Sequence, residues 1–366
     1  MMHQEVRWAL ATGALLGAAA VSAQDSMQIY GVADTGIEYL DHIAEGGTLT
    51  RMPAVTAGHM PSRLGFKGEE DLGGGLKAVF VLETGMALGT GSFMQSGRSF
   101  GRQAYLGLSG DWGTLALGRQ YAMGLYAMMG SDLMGPAVYG LGSLDAYLPN
   151  QRLDNAFTYR GTFGAWTLGA AYSNARDGSA PSNCGPQHGS ACAAYSALVK
   201  YDNRRWGVAL AHDRLKGVKG SGFFGQPAGL TIGDGSRDDH TYLTGYVMVG
   251  GTRLGAGVIR RELEAVGETY RSNQYYAAVS HPLTRAVTLD ATYTYLDADR
   301  SGADAQLLSV RATYSFSRRT AVYALAGHVF NGSRVAYSVS GGSAVPASPG
   351  VGQGQTGLMA GLRHQF

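Results

Sequence analysis

From Met27 onward, apolar and polar side chains alternate. Ile29, Ala33, Ile37 and Tyr39 fall on one parity, while Asp34 and Glu38 fall on the other. Successive strand side chains point to opposite faces, so this reads as a β-strand with one greasy face and one carrying carboxylates. The period of two returns along the chain. In 63–67, Leu64 and Phe66 oppose Arg63 and Lys67; in 76–84, Ala78, Phe80 and Leu82 oppose Lys77 and Glu83. In 285–296, Val287, Leu289, Ala291, Tyr293 and Tyr295 oppose Thr288, Asp290, Thr292 and Thr294. In 305–316, Leu308, Val310, Ala312, Tyr314 and Phe316 oppose Ser309, Arg311 and Thr313; in 320–329, Tyr323, Leu325 and Val329 oppose Thr320 and His328. Counting such runs gives about 16 strands.

Alternation alone fits a soluble sandwich as well as a membrane barrel, because both separate an apolar from a polar face. The connections separate the two. Very short ones (70–75, 110–113, 202–205, 281–285 and 315–319) interleave with long polar ones (41–61, 86–98, 175–192, 217–239 and 331–355). Strict alternation of short and long is the habit of outer-membrane barrels, with tight turns on one rim and long loops on the other. The expectation is an all-β, antiparallel transmembrane barrel of about 16 strands, wide enough for an aqueous channel.

The stretch Arg119–Arg152 breaks the period. It is too long for a hairpin turn, and Pro136 and Pro149 interrupt any helix. Leu125, Tyr126, Met128, Met129, Leu133, Met134, Val138, Tyr139 and Leu141 make it too apolar for a disordered segment. Long loops of this kind are usually functional. This one is expected to fold into the mouth of the barrel and narrow it.

Composition sharpens the picture only partly. The 366 residues include 56 Gly and 21 Tyr, an unusual balance for a soluble enzyme. The formal charge of +2 implies no basic surface for nucleic acid. Residues 1–23 read as a secretory signal peptide, with an apolar Trp8–Val21 stretch and a cleavage site at Val21-Ser22-Ala23. That leaves 24–366 as one barrel domain. Cys184 and Cys192 lie in a polar Gly/Ser/Pro stretch, and in an exported protein they are expected to form a disulfide closing a surface loop.

Catalytic chemistry has little support. No G-x-S-x-G elbow and no H-E-x-x-H occurs, so enzyme activity is not expected. No motif calls for a cofactor, and His188 beside the two cysteines is too small a ligand set for a metal site. The acidic run 234–239 could hold calcium but reads better as a solvated loop.

At the far end Leu358, Ala360, Leu362, His364 and Phe366 share the outward parity. This places the Phe366 ring at the membrane interface, where aromatic girdles sit.

Several stretches together resemble the Gram-negative general diffusion porins of betaproteobacterial type. They are 29–34 (IYGVAD), 62–78 (SRLGFKGEEDLGGGLKA), 100–105 (FGRQAY), 117–121 (LGRQY), 152–155 (RLDN) and the closing 361–366 (GLRHQF). The resemblance covers nearly all of the mature chain. It implies a homotrimer of 16-stranded barrels in the outer membrane, among lipid and lipopolysaccharide, with the third external loop folded into each lumen. It implies an assembly signal at Phe366, read by the outer-membrane assembly machinery. It also implies passive passage of small hydrophilic solutes and ions through a constriction where wall arginines face acidic groups.

Carried over by position, the wall arginines are Arg63, Arg102 and Arg152, and Asp132 is the loop carboxylate. Glu83 and Asp34 are expected to balance part of the charge, and Asp145 either does so or lies on the loop's solvated side. The second loop carboxylate of the enterobacterial pattern is missing, since 136–140 reads PAVYG. Arginine rings are the usual device of anion pores, so an anion preference is expected. The competing readings are a substrate-specific channel and, from another class, an outer-membrane barrel enzyme or adhesin.

Overall fold

The computed structural model describes residues 26–44, 46–53, 56–341 and 347–366. The signal peptide expected over 1–23 lies outside them. Strands form wherever period-two stretches run between turn residues. In chain order they are β1 (Ser26–Leu40), β2 (Leu49–Arg51), β3 (Arg63–Gly73), β4 (Leu76–Ala87), β5 (Ser92–Phe93) and β6 (Gln103–Gly110). Next come β7 (Gly113–Tyr121), β8 (Arg152–Phe163), β9 (Trp166–Ser173), β10 (Ala194–Asp202), β11 (Trp206–Gly217) and β12 (Ser236–Val249). The last are β13 (Thr252–Ala265), β14 (Glu268–Pro282), β15 (Val287–Ala298), β16 (Ala305–Ser315), β17 (Thr320–Asn331) and β18 (Gln355–Gln365).

The short strands β2 and β5 only decorate loops. The other 16 pair antiparallel with their neighbours, and β1 pairs β18, so the sheet closes. Closure removes both sheet edges, which in lipid would carry unsatisfied backbone groups. The seam is finished by Phe366, whose backbone exchanges hydrogen bonds with Gly31 at 3.0 and 3.1 Å. Gly31 is required there, because a Cβ would lie 2.4 Å from Cζ of the Phe366 ring.

Among the described residues, no helix is long and apolar enough to cross a membrane. The strands carry the apolar surface instead. Leu106, Leu117, Leu243, Leu308, Leu358 and Leu362 are all exposed on one parity, while Thr292, Thr294, Ser309 and Arg311 are buried on the other. A water-facing surface that apolar is not expected of a monomeric soluble domain. Aromatic rings gather near the short-turn rim, where Tyr201 lies 5.1 Å from Trp166 and 4.7 Å from Trp206.

Three details depart from the expectations. Short and long connections do not alternate strictly, because 266–267 and 299–304 join strands on the long-loop rim with only a few residues. The parity of β17 is inverted: Tyr323, Leu325 and Val329 are buried, whereas Ala324, Ala326 and Phe330 are exposed. The apolar trio packs with Met134, Val138 and Tyr139 from the long loop. Arg152 and Leu153, neighbours that strict alternation would put on opposite faces, are both buried, and Leu153 packs with loop side chains. Asn155, at φ 48°, and a register shift at Gly118/Gln120 interrupt the alternation there.

Candidate functional site

The segment 122–151 between β7 and β8 holds a short helix, Met123–Met128, and two single 3₁₀ turns, Leu141–Ser143 and Leu148–Asn150. Its apolar side chains form two clusters with buried-parity residues of the wall. Met123, Ala127, Leu141 and Leu148 pack with Leu198, Ala211, Tyr242 and Ile259. Met134, Val138, Tyr139 and Leu144 pack with Leu307, Tyr323 and Leu325. Gly327 and Gly357 make room for Tyr139, since a Cβ on either would come within about 3.0 Å of its ring.

Polar tethers fix the register of these clusters. The Arg311 guanidinium donates to the backbone oxygens of Leu133, Met134 and Gly58, and to Asp290. Asp213 accepts from Gly124 N, Ser196 Oγ and Tyr147 Oη. Thr244, Gln274 and Ser309 donate to the carbonyls of Ala127, Leu141 and Tyr139.

Asp145 belongs to this tethering set, which corrects both expectations for it. Its Oδ2 lies 3.0 Å from His240 Nε2 and its Oδ1 lies 3.3 Å from Arg261 Nη1, all three side chains being buried. Burial alone would raise its pKa, but Arg261 and His240 outweigh that and hold the carboxyl below the usual range.

A cavity of about 430 Å³ opens beside the loop. Of the six residues expected at the constriction, Arg63, Glu83, Arg102, Arg152 and Asp132 all line it. Strand pairing brings the wall members together, since Arg63 and Glu83 sit on neighbouring strands and Arg102 immediately precedes β6. Arg102 Nε donates to Glu83 Oε1 at 2.7 Å, and Arg102 Nη2 donates to Tyr121 Oη at 2.8 Å. Arg63 Nε lies 3.6 Å from Glu83 Oε2, which also accepts from Tyr30 Oη at 2.9 Å. Arg152 Nη1 donates to Pro149 O at 2.9 Å, and its guanidinium sits 5.1 Å from the centre of the Tyr121 ring. Two guanidiniums thus lie within 6.0 Å of the Tyr121 ring centre, an arrangement that cation–π attraction favours.

Asp132 is half-buried and opens on the cavity from the loop side. Burial pushes its carboxyl up to about 6, against the opposing pull of the Gly135 N–H and Arg311.

Asp34 does not line the cavity. It is buried and accepts from the backbone of His59 and Met60 and from Tyr323 Oη, so it anchors the first long connection. That connection matters more than expected, because Thr56, Met60 and Pro61 line the cavity, as does Gly341 from the last one. Thr56 Oγ1 donates to Gly341 O, and Gly341 N donates to Val138 O. Residues from three connections therefore converge. The sequence signal for the missed tethers was charge at buried parity near strand ends, as in Asp238, His240 and Arg261.

Lys67 is exposed, Arg160 stacks on Tyr126 at 4.1 Å, and Arg363 lies 3.3 Å from His59. Cys184 and Cys192 are disulfide-bonded, with Cα atoms 5.4 Å apart. In the acidic loop, Asp234 accepts from Lys219 N, Asp238 binds Arg261, and Asp239 binds Arg214. Among the described residues, no group of three or more His, Cys, Asp or Glu side chains is placed to hold a metal ion.

The comparisons agree with the architecture. A family model described as Gram-negative porin matches residues 9–333. An outer membrane porin protein of Bordetella pertussis is 28% identical, over 88% of this chain and 94% of its own length. An anion-selective porin from Comamonas acidovorans superimposes with a TM-score of 0.76 at 23% identity, covering 94% of this chain and all of that one. OmpT of Vibrio cholerae, solved in a trimer form, gives a TM-score of 0.65 at 16% identity, covering 93% of this chain and 99% of that one.

Proposed function

The chain belongs to the Gram-negative porin family, and from that premise we propose that it is a general diffusion porin with a preference for anions. It is an outer-membrane, multi-pass barrel and a channel rather than an enzyme. The finer reading has three parts: residues 122–151 occupy the lumen, the cavity beside them is the constriction, and its charge favours anions.

The observation that carries the reading is the composition of the cavity lining. Among the described residues, three arginines (Arg63, Arg102 and Arg152) face two carboxylates, Glu83 and Asp132. Glu83 is already engaged with Arg102 and Arg63, and arginine keeps its charge at any working pH. The net field in the narrow section is therefore positive, and inside low-dielectric walls such a field raises the local concentration of counter-ions. The relationship to an anion-selective porin points the same way. The lumenal position of the loop is supported by its tethers to Asp213, Thr244, Gln274, Ser309 and Arg311, all of buried parity.

Further parts of the reading rest on likeness. Assembly as a homotrimer follows the relation to OmpT. Residues 1–23 act as the export signal, and Phe366, exposed at the closed seam, is the assembly signal.

The test is the reversal potential of the unboiled, detergent-purified protein in a planar bilayer under a KCl gradient. Chloride selectivity is expected. Cation selectivity would leave the porin standing but overturn the charge assignment, making Glu83 and Asp132 dominant.

A further inference from the structure

The constriction cavity has two unlike halves. On the wall side, the guanidiniums of Arg102 and Arg152 are more than nine-tenths buried. Arg102 spends Nε on Glu83 and Nη2 on Tyr121, and its Nη1 makes no hydrogen bond. Arg152 spends Nη1 on Pro149 O, and its Nε makes none. Both arginines line the cavity with part of their donor capacity unspent, and a planar carboxylate is the natural partner for a guanidinium fork. The loop side is different: Leu125, Met128, Met129, Leu148 and Pro149 present apolar surface to the same space, and Met60 adds more from the first connection. Methionines shape themselves to varied apolar ligands. Chloride or a sugar would engage the arginines and leave this surface without a partner.

We propose that the constriction is a weak binding site for small monocarboxylates with an apolar body, such as an aromatic or branched aliphatic acid. The inference rests on the channel reading above and adds a solute class to it. The carboxylate lies on Arg102 and Arg152, and the body lies on Met129, Leu125 and their neighbours. The cavity, at about 430 Å³, falls within the usual range of roughly 300–1,000 Å³ for small-molecule sites. A second carboxylate on the body would meet the apolar side chains and the Asp132 carboxylate, so dicarboxylates are disfavoured. A neutral analogue would leave the arginine donors unmatched. Binding stays weak, because a conducting site must also release its solute.

The experiment uses the full protein in planar bilayers at neutral pH in symmetric KCl, titrated with sodium benzoate, sodium acetate, sodium succinate or benzamide. Benzoate is expected to reduce the ion current saturably. Its apparent affinity should exceed that of acetate and succinate by about tenfold or more, the discrimination that a few carbon atoms gain in an apolar pocket. Benzamide should have little effect. Met129→Ser, at a position 53% exposed, should bring the benzoate and acetate constants closer together, whereas Arg152→Gln should weaken both. Equal constants for benzoate and acetate, or block by benzamide as strong as by benzoate, would overturn the proposal while leaving a working porin. Protein that is folded by its heat-shifted electrophoretic mobility yet passes no current would overturn the channel reading itself, and this inference with it.

Discussion

Arg102 Nε donates to Glu83 Oε1 across 2.7 Å, so the acidic group nearest the wall arginines is already held by one of them. Neutralising either partner must change the charge that a passing ion meets. Arg102→Ala removes a positive charge and leaves Glu83 with one of its two arginine partners, Arg63. In water, one charge at 4 Å is worth about 1 kcal/mol, a factor of roughly five in local ion concentration. Chloride falls and potassium rises by about that factor each, so the chloride-over-potassium permeability ratio from reversal potentials should fall by up to about 25-fold. Glu83→Gln should raise it. Unchanged selectivity in Arg102→Ala would remove this residue from the constriction.

Arg311 ties the long loop and the first connection to one wall site, through the oxygens of Met134, Leu133 and Gly58. It also pairs with buried Asp290 at 2.8 Å. Arg311→Gln breaks these tethers and strands a carboxylate, and removing one member of a buried pair costs about 3–5 kcal/mol. The barrel hydrogen bonds remain, so a folded protein with a looser loop is expected. Single-channel traces should show larger and noisier openings than those of the parent protein. A quiet trace of parental conductance would show that the loop is held without Arg311.

Asp132 provides a pH dependence with a definite sign. Its carboxyl is raised by burial from 3.8 to about 6. A raised acid favours the packed loop when protonated. Its stabilisation is complete below about pH 4 and is lost as pH rises through about 6. The same proton sets its charge in the cavity, so anion preference should increase between about pH 7 and pH 5. His59, lowered to about 2 by burial and by Arg311 and Arg363, stays neutral through that window. Reversal potentials across the range should show the change in the parent protein and a much flatter profile in Asp132→Asn.

Gly31 and Phe366 close the barrel. Any side chain at Gly31 would meet the Phe366 ring at 2.4 Å and the Arg63 backbone oxygen at 2.7 Å. Gly31→Val should therefore displace the terminal ring and lower the yield of folded barrel. The check is the fraction of unboiled protein with heat-modifiable mobility after refolding into detergent. A yield equal to that of the parent would show that the seam tolerates the shift.

The sequence alone determined the strands, their approximate number and which face meets lipid in β1, β15, β16 and β18. Period two is a local property, fixed by backbone geometry and readable from neighbouring residues. Arg63, Arg102 and Arg152 were legible through their motifs, Asp132 through its place in the family pattern, and Glu83 through its polar parity; all five line one cavity.

Tertiary structure decided what the long segment packs against. Once the segment 122–151 packs on the wall, the buried parity of β17 becomes apolar, with Tyr323, Leu325 and Val329 against Tyr139 and Val138. There the alternation has the same period with its faces exchanged. Asp34 and Asp145 look like constriction charges in the sequence, yet each has partners more than 20 residues away that hold it as an anchor. Burial beside a distant partner, such as Tyr323 or Arg261, sets a charged group's role, and one-dimensional spacing does not encode that partner.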